Sequence, residues 1–356
     1  MHATEDASAT TTTSPIEALF PGYFAMVMAT GIVAVAAFQQ DLEFVAQALY
    51  VVAAAAYIVL SVLLIARVIL YWDAFAADVV QHVKGFAFLT TVAGTNVLAA
   101  GSGIIHGWWD LTWALWFLSL ALWVVFIYTT LISVVIRDGK PGLERGINGT
   151  WFLLTVSIES IAVVAGLLAT RHDSDLLVFV GLAAFTLGIL IYVIVMTMVF
   201  LRWTFLSLDP TEVDPPAWIA AGAVAITVLA GSNLLLAAPA SERLTEMKPF
   251  LEGMVIMAWA TSTFWFPLMV AIGVWRHLIR KLPLRYHPAY WSLVFPIGMY
   301  GASTYRMLAA IDLDGLDWLP KVTLVFSLTA WSLTAFGLAH LGVSTLGRRR
   351  GFVDRS

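Results

Sequence analysis

Ten long apolar stretches occupy almost the whole of this sequence: 18–38, 43–71, 84–103, 108–136, 148–170, 175–203, 215–238, 250–281, 287–311 and 318–346. A hydrocarbon core about 30 Å thick takes roughly 20 apolar residues per helical crossing. A chain of 356 residues with short connections therefore has room for ten crossings and little else. Barrel strands are short and alternate in polarity, whereas these runs are long and continuous, so helices are expected. Hydrophobic residues make up 60% of the chain and charged residues only 12%, against about a quarter charged in soluble domains. That composition excludes a cytoplasmic enzyme, a nucleic-acid binder and a single-anchor receptor.

The 19 basic and 23 acidic residues leave no large basic surface for nucleic acid. The absence of cysteine excludes disulfides, thiolate catalysis, iron–sulfur clusters and cysteine-ligated zinc. Residues 1–17, rich in Ala, Ser and Thr and without a basic n-region, read as a disordered cytoplasmic tail. Residues 347–356 read as a basic cytoplasmic tail, leaving 18–346 as a ten-helix transport domain. Fourteen of the 19 basic residues fall on one side of the alternating helices and five on the other. The positive-inside rule then puts both termini in the cytoplasm of a multi-pass protein of the cell membrane.

The odd-numbered stretches open alike, at Gly22-Tyr23-Phe24, Gly85-Phe86, Gly149-Thr150-Trp151, Ala217-Trp218 and Ala289-Tyr290-Trp291, in steps of 63, 64, 68 and 72 residues. Each step is one helical hairpin, so the odd helices run parallel and the repeats are not inverted. Five such hairpins most simply close into a ring. The odd helices, which carry the glycines and hydroxyls, are expected inside it. Small residues also serve close helix packing alone, and both readings stand at this stage.

Phe20-Pro21-Gly22-Tyr23-Phe24-Ala25-Met26-Val27-Met28-Ala29-Thr30-Gly31 resembles the opening of the tellurite-resistance/dicarboxylate transporter family, which includes the slow-type anion channels of plant guard cells. Trp265-Phe266-Pro267-Leu268, Gly273-Val274-Trp275-Arg276-His277 and Phe295-Pro296-Ile297-Gly298-Met299-Tyr300, leading to Thr304-Tyr305-Arg306, are similar to further motifs of that family. The resemblance covers nearly the whole chain. It implies an all-α integral membrane fold of five hairpin repeats around a central pore, a homotrimer with one pore per subunit, and transport of inorganic anions or small dicarboxylates. One departure is that only the ninth helix clearly carries a mid-span proline among the inner five.

Counting +3, +6, +10, +13 and +17 from each opening gives one helical face. It reads Ala25, Met28, Ile32, Val35, Gln39 on the first helix and Phe88, Thr91, Thr95, Leu98, Ser102 on the third. The fifth gives Phe152, Thr155, Glu159, Ala162, Gly166, and the seventh Ala220, Ala223, Thr227, Ala230, Leu234. The ninth gives Ser292, Phe295, Met299, Ala302, Arg306. The +6 layer then holds Met28, Thr91, Thr155, Ala223 and a single aromatic, Phe295. By resemblance Phe295 matches the phenylalanine that plugs the pore. From the residues alone an ordinary packed ring is the better reading, and the resemblance reverses that preference. Pro296 removes the hydrogen bond to the carbonyl of Ser292 and weakens the helix beside it.

The hydroxyls of Thr91, Thr95 and Thr155 can donate to an anion or bond back to their own helix. Glu159 lies mid-span, where a carboxylate costs roughly 2.5–3.5 kcal/mol on insertion scales. An anion pathway tolerates it only if it is protonated, turned off the axis or paired. A neutral side chain bonded to a neighbouring helix and a proton site of a proton-coupled dicarboxylate carrier are both compatible with that position. Arg306 either snorkels to the interface or draws anions past the carboxylates Asp312, Asp314 and Asp317. The isolated His277, His287 and His340 sit near helix ends. No metal-binding, cofactor-binding or catalytic constellation is expected, so a membrane-embedded sensor or enzyme ranks behind a gated anion channel or transporter.

Overall fold

The computed structural model describes residues 14–210, 212–284 and 286–353. The expected N-terminal tail up to residue 13, and the last three residues of the expected C-terminal tail, lie outside the described residues. The described chain is helical, with no strand. Its α-helices are α1 (Ala25–Phe38), α2 (Glu43–Leu70), α3 (Trp72–Val79), α4 (Leu89–His106), α5 (Trp109–Ile136), α6 (Leu143–Gly146) and α7 (Leu153–His172). After them come α8 (Asp175–Phe205), α9 (Ile219–Leu236), α10 (Glu242–Glu246), α11 (Lys248–Val274), α12 (Trp291–Ile311) and α13 (Trp318–Val353). Nine helices among the described residues are long and apolar enough to cross a membrane. The remaining expected stretch forms α12, 21 residues long, which carries Ser292, Ser303, Thr304 and Arg306.

Burial divides these helices into two layers. The spans containing α1, α4, α7 and α9 are 83–100% buried, and those of α2, α5, α8, α11 and α13 only 17–39%. Most of α12 is buried too. The five buried helices touch in closed order, α1 to α4, α7, α9, α12 and back to α1. Small residues set their spacing: a methyl on Gly31, Gly166, Gly222 or Gly298 would press on Val97, Asn233, Pro296 or Val33 of the next inner helix. The remaining junction, α4 to α7, is held by Asn96 Nδ2 donating to Ser160 Oγ at 2.9 Å. The apolar faces of the outer helices, such as Ile58, Val62, Ile65 and Ile69 of α2, stay exposed. A helix that leaves that much aliphatic surface open is built to face lipid.

Each inner helix opens on a 3-10 turn: Pro21–Phe24, Gly85–Phe88, Gly149–Phe152, Pro215–Trp218 and Pro288–Tyr290. Proline fits the first turn because its missing N–H would have no intrahelical acceptor there. Ahead of four of these turns the same clamp recurs. The arginine ending each outer helix donates to a carbonyl just before its own hairpin's opening. The pairs are Arg67 to Leu19 (3.0 Å), Arg137 to Val80 (3.2 Å), Arg202 to Glu144 (3.1 Å) and Arg276 to Val213 (2.7 Å). Arg67 and Arg202 also pair with Asp78 at 2.6 Å and Glu212 at 2.7 Å.

A second recurring contact stitches each hairpin to the next one. The outer helix sends one aromatic polar group to the following inner helix: Tyr57 to Thr95 Oγ1 (2.8 Å), Trp116 to the Ile161 carbonyl (3.2 Å) and Tyr192 to the Ala220 carbonyl (3.2 Å). Trp259 reaches Thr304 Oγ1 (3.0 Å), and Trp331 of α13 reaches Thr30 Oγ1 of α1 (2.9 Å), which closes the circle. Buried Trp and Tyr need a partner for their polar atom, and in these five contacts the neighbouring repeat supplies it.

Candidate pore and vestibule

At the C-terminal ends of the inner helices the ring opens into a cavity of about 300 Å³. Every inner helix contributes to its wall. Ile32, Val35 and Gln39 come from α1 and its end; Asn96, Val97, Ala100 and Ile104 from α4; Ser160, Val163 and Leu167 from α7. Ile226, Leu229 and Asn233 of α9 and Met299, Tyr305 and Arg306 of α12 complete it. The wall is mainly aliphatic, with a few polar groups at fixed places, as binding cavities commonly are. At the rim it meets a second cavity of about 470 Å³ lined by Asp312, Asp314, Asp317 and Lys321, with Gln39, Asp41 and Tyr305 shared.

Among the described residues Arg306 is the one cationic group on the vestibule wall. Its Nε donates to Asn233 Oδ1 at 2.8 Å, and the Asn233 amide is oriented in turn by Nδ2 donating to the Val163 carbonyl at 3.2 Å. Among the described residues no carboxylate forms an ion pair with Arg306. Across the cavity Asn96 is fixed at both ends: Ser119 donates to its Oδ1 at 2.7 Å, and its Nδ2 holds Ser160.

Of the pore and gate candidates Met28, Thr91, Thr95, Thr155, Glu159, Phe295, Pro296 and Arg306, only Arg306 lines this cavity. Phe295 lies one turn before Met299 on the same face of α12, about 6 Å further along the helix axis. It is fully buried against Gly222 of α9, as is the adjoining Pro296. Met28 and Thr155 are buried as well, and Thr155 Oγ1 has no hydrogen-bond partner among the described residues. Thr91 donates to the Phe88 carbonyl of its own helix at 2.7 Å. Thr95 donates likewise to Thr91 and accepts from Tyr57, so it faces α2 rather than the axis.

Glu159 is completely buried and also points off the axis. Thr227 of α9 donates to its Oε1 at 3.0 Å, and the carboxyl rests on Gly188 of α8, where a methyl would collide with it. Its Oε2 has no partner among the described residues. On α1 and α12 the lining agrees with the stripe, through Ile32, Val35, Gln39, Met299 and Arg306. On α7 it is displaced by one residue, from Glu159 and Ala162 to Ser160 and Val163, and on α9 by one in the other sense, to Ile226 and Leu229. Asn96, Ser160 and Asn233 were missed for that reason. Amides in otherwise apolar spans were the available signal.

Comparison with known proteins adds to this geometry. The model of a family described as voltage-dependent anion channel matches residues 18–339. An uncharacterized membrane protein of Mycobacterium tuberculosis is 34% identical over 158 residues, covering 44% of this chain and 80% of that protein. An uncharacterized transporter of Methanocaldococcus jannaschii is 23% identical over 312 residues, covering 85% of this chain and 88% of that one.

Proposed function

The chain belongs to the voltage-dependent anion channel family, and from that membership we propose that it passes small anions across the cell membrane along the axis of its inner helix ring. The observation that carries this reading is the vestibule walled by all five inner helices, into which Arg306 brings a positive charge with no carboxylate partner among the described residues. Conduction needs sites that an ion leaves as readily as it enters, and one guanidinium among amides and aliphatic walls fits that need. The gate in this reading is Phe295, with Pro296 weakening the helix beside it. Met28, Thr91 and Thr155 share its register in the buried part of the ring, and Thr95, turned toward Tyr57 of α2, supports the wall from behind. The anions are inorganic ions or small carboxylates. Three copies assemble, each with its own pathway, and both termini face the cytoplasm, on the side where the arginine clamps lie.

A proton-coupled dicarboxylate carrier using Glu159 is the second reading. It draws support from the lone Thr227 contact of this buried carboxyl, which leaves Oε2 free to carry a proton. Purified protein in liposomes separates the two. Anion flux that follows the membrane potential alone supports the channel. Uptake that requires a pH gradient supports the carrier, and no flux under any gradient overturns both.

A further inference from the structure

We propose that the vestibule holds a discrete binding site for one monovalent planar oxyanion, a carboxylate or nitrate, clamped end-on by the Arg306 guanidinium. The inference rests on the reading of this pathway as an anion route and adds to it a ligand class and a selectivity-determining residue.

Several observations converge on Arg306. The guanidinium is fixed in orientation, because its Nε is taken by Asn233 Oδ1 and that amide cannot flip without losing the Val163 carbonyl. The two Nη nitrogens have no hydrogen-bond partner among the described residues, and the side chain lines the cavity. A guanidinium offering both Nη groups presents parallel N–H donors at the spacing of two oxygens of a planar oxyanion. Chloride, a single sphere, meets such a fork less well.

The rest of the wall is consistent with the same ligand. Asn96 and Asn233 each commit one Nδ2 hydrogen to the protein and keep a second. Gln39 has its Oε1 buried without a partner, so its amide is free to turn the NH2 group inward. The carboxylate on this wall is that of Asp41, which is exposed at the mouth. A dianion seated on Arg306 would bring its second charge toward Asp41 and the rim aspartates Asp312, Asp314 and Asp317. One cation therefore matches one negative charge. The volume of about 300 Å³ leaves room for such an ion with water.

The test uses the full chain in detergent micelles, with thermal unfolding followed in sodium nitrate, formate, succinate and chloride at equal ionic strength. Parent, Arg306→Gln, Arg306→Lys and Asn233→Ala are compared, so that general salt effects cancel between proteins in the same salt. The expected result is a saturable rise in the parent's Tm with nitrate and formate, half-complete at a concentration about tenfold lower than for chloride or succinate. Arg306→Gln loses the rise altogether. Arg306→Lys keeps the charge but loses the fork, and its responses to formate and chloride become equal. Asn233→Ala weakens the response to nitrate and formate. Equal responses of the parent to all four salts, or a formate preference that survives in Arg306→Lys, overturn the site. If Arg306→Gln does not fold, the Lys variant and the parent's own ranking still decide. Reversal potentials in a planar bilayer complete the test. A formate-to-chloride permeability ratio above one that falls toward one in Arg306→Lys makes the site part of permeation. Preferential binding without current would retain the site and remove the proposed function.

Discussion

Trp331 of α13 donates its indole N–H to Thr30 Oγ1 of α1 across 2.9 Å, joining the last outer helix to the first inner one, 301 residues away in sequence. The other four such bonds each link a hairpin to the one that follows it. This one links the fifth hairpin back to the first, so it completes the circle. In lipid there is little hydrophobic drive to hold helices together, and packing with occasional hydrogen bonds does that work.

The Trp331→Phe and Thr30→Ala variants should each lower stability, and the double variant should lose less than their sum. The coupling expected for an interhelical bond in a membrane is about 0.6–1.7 kcal/mol. Reversible unfolding in mixed detergent measures it. Strict additivity would mean that ring closure rests on packing alone.

Phe295→Ala removes a fully buried ring that packs on Gly222. If Phe295 is the gate, the variant should conduct more anion per molecule, while its Tm falls because a cavity of aromatic size costs about 3–5 kcal/mol when unfilled. Single-channel conductance in planar bilayers separates the two effects, since stability alone changes the number of channels and not their unit conductance. Unchanged unit conductance would make Phe295 a packing residue only.

The helices and their pairing were legible from hydropathy and from the 63–72-residue recurrence of openings, because a lipid-spanning helix has little freedom in length or polarity. The rotation of each helix about its own axis was not. One residue turns a helix by 100°, and the rotation is set by polar contacts made far away in sequence. Thr95 faces α2 because Tyr57 lies there, and Glu159 faces α8 and α9 because Gly188 leaves room and Thr227 donates. Neither partner is marked by spacing. Arg306 was found because a charge near the end of an apolar helix stands out without any register. In the sequence the arginine clamps of the outer helices show only as an excess of positive charge, and their second task of holding the loops appears in the folded structure alone.

Asp214, just ahead of the 3-10 turn that opens α9, has its carboxyl pushed up to about 6 by burial, with Arg276 pulling the other way. The folded state thus binds this proton more tightly than the unfolded one. The resulting stability is fully present below the ordinary aspartate value of 3.8 and is lost as pH rises through about 6. Lowering the pH from 7 to 5 should therefore raise the stability of the parent relative to Asp214→Asn, by at most about 1.4 kcal/mol per pH unit. Parallel curves of Tm against pH for the two proteins would show that Asp214 titrates alike folded and unfolded.

Glu159 of α7 and Gly188 of α8 meet in a space that holds only one side chain. A Cβ on Gly188 would run into the Glu159 carboxyl, which is held in place by Thr227 and enclosed on every side. Gly188→Ala should therefore destabilise by about 1–3 kcal/mol, the usual range for overpacking. Shortening the opposing residue should relieve it: in a Glu159→Ala background the same Gly188→Ala change should cost little or even fill space. Glu159→Gln, by contrast, keeps the volume and the oxygen that accepts from Thr227, so Gly188→Ala should remain costly there. The Gln variant also separates the two readings of transport. It cannot titrate, so a channel keeps its voltage-driven flux and a carrier loses pH-driven uptake. A Gly188→Ala cost that is the same in all three backgrounds would mean that the glycine serves the approach of α8 to α7 as a whole. The carboxyl would then have no special claim on that space.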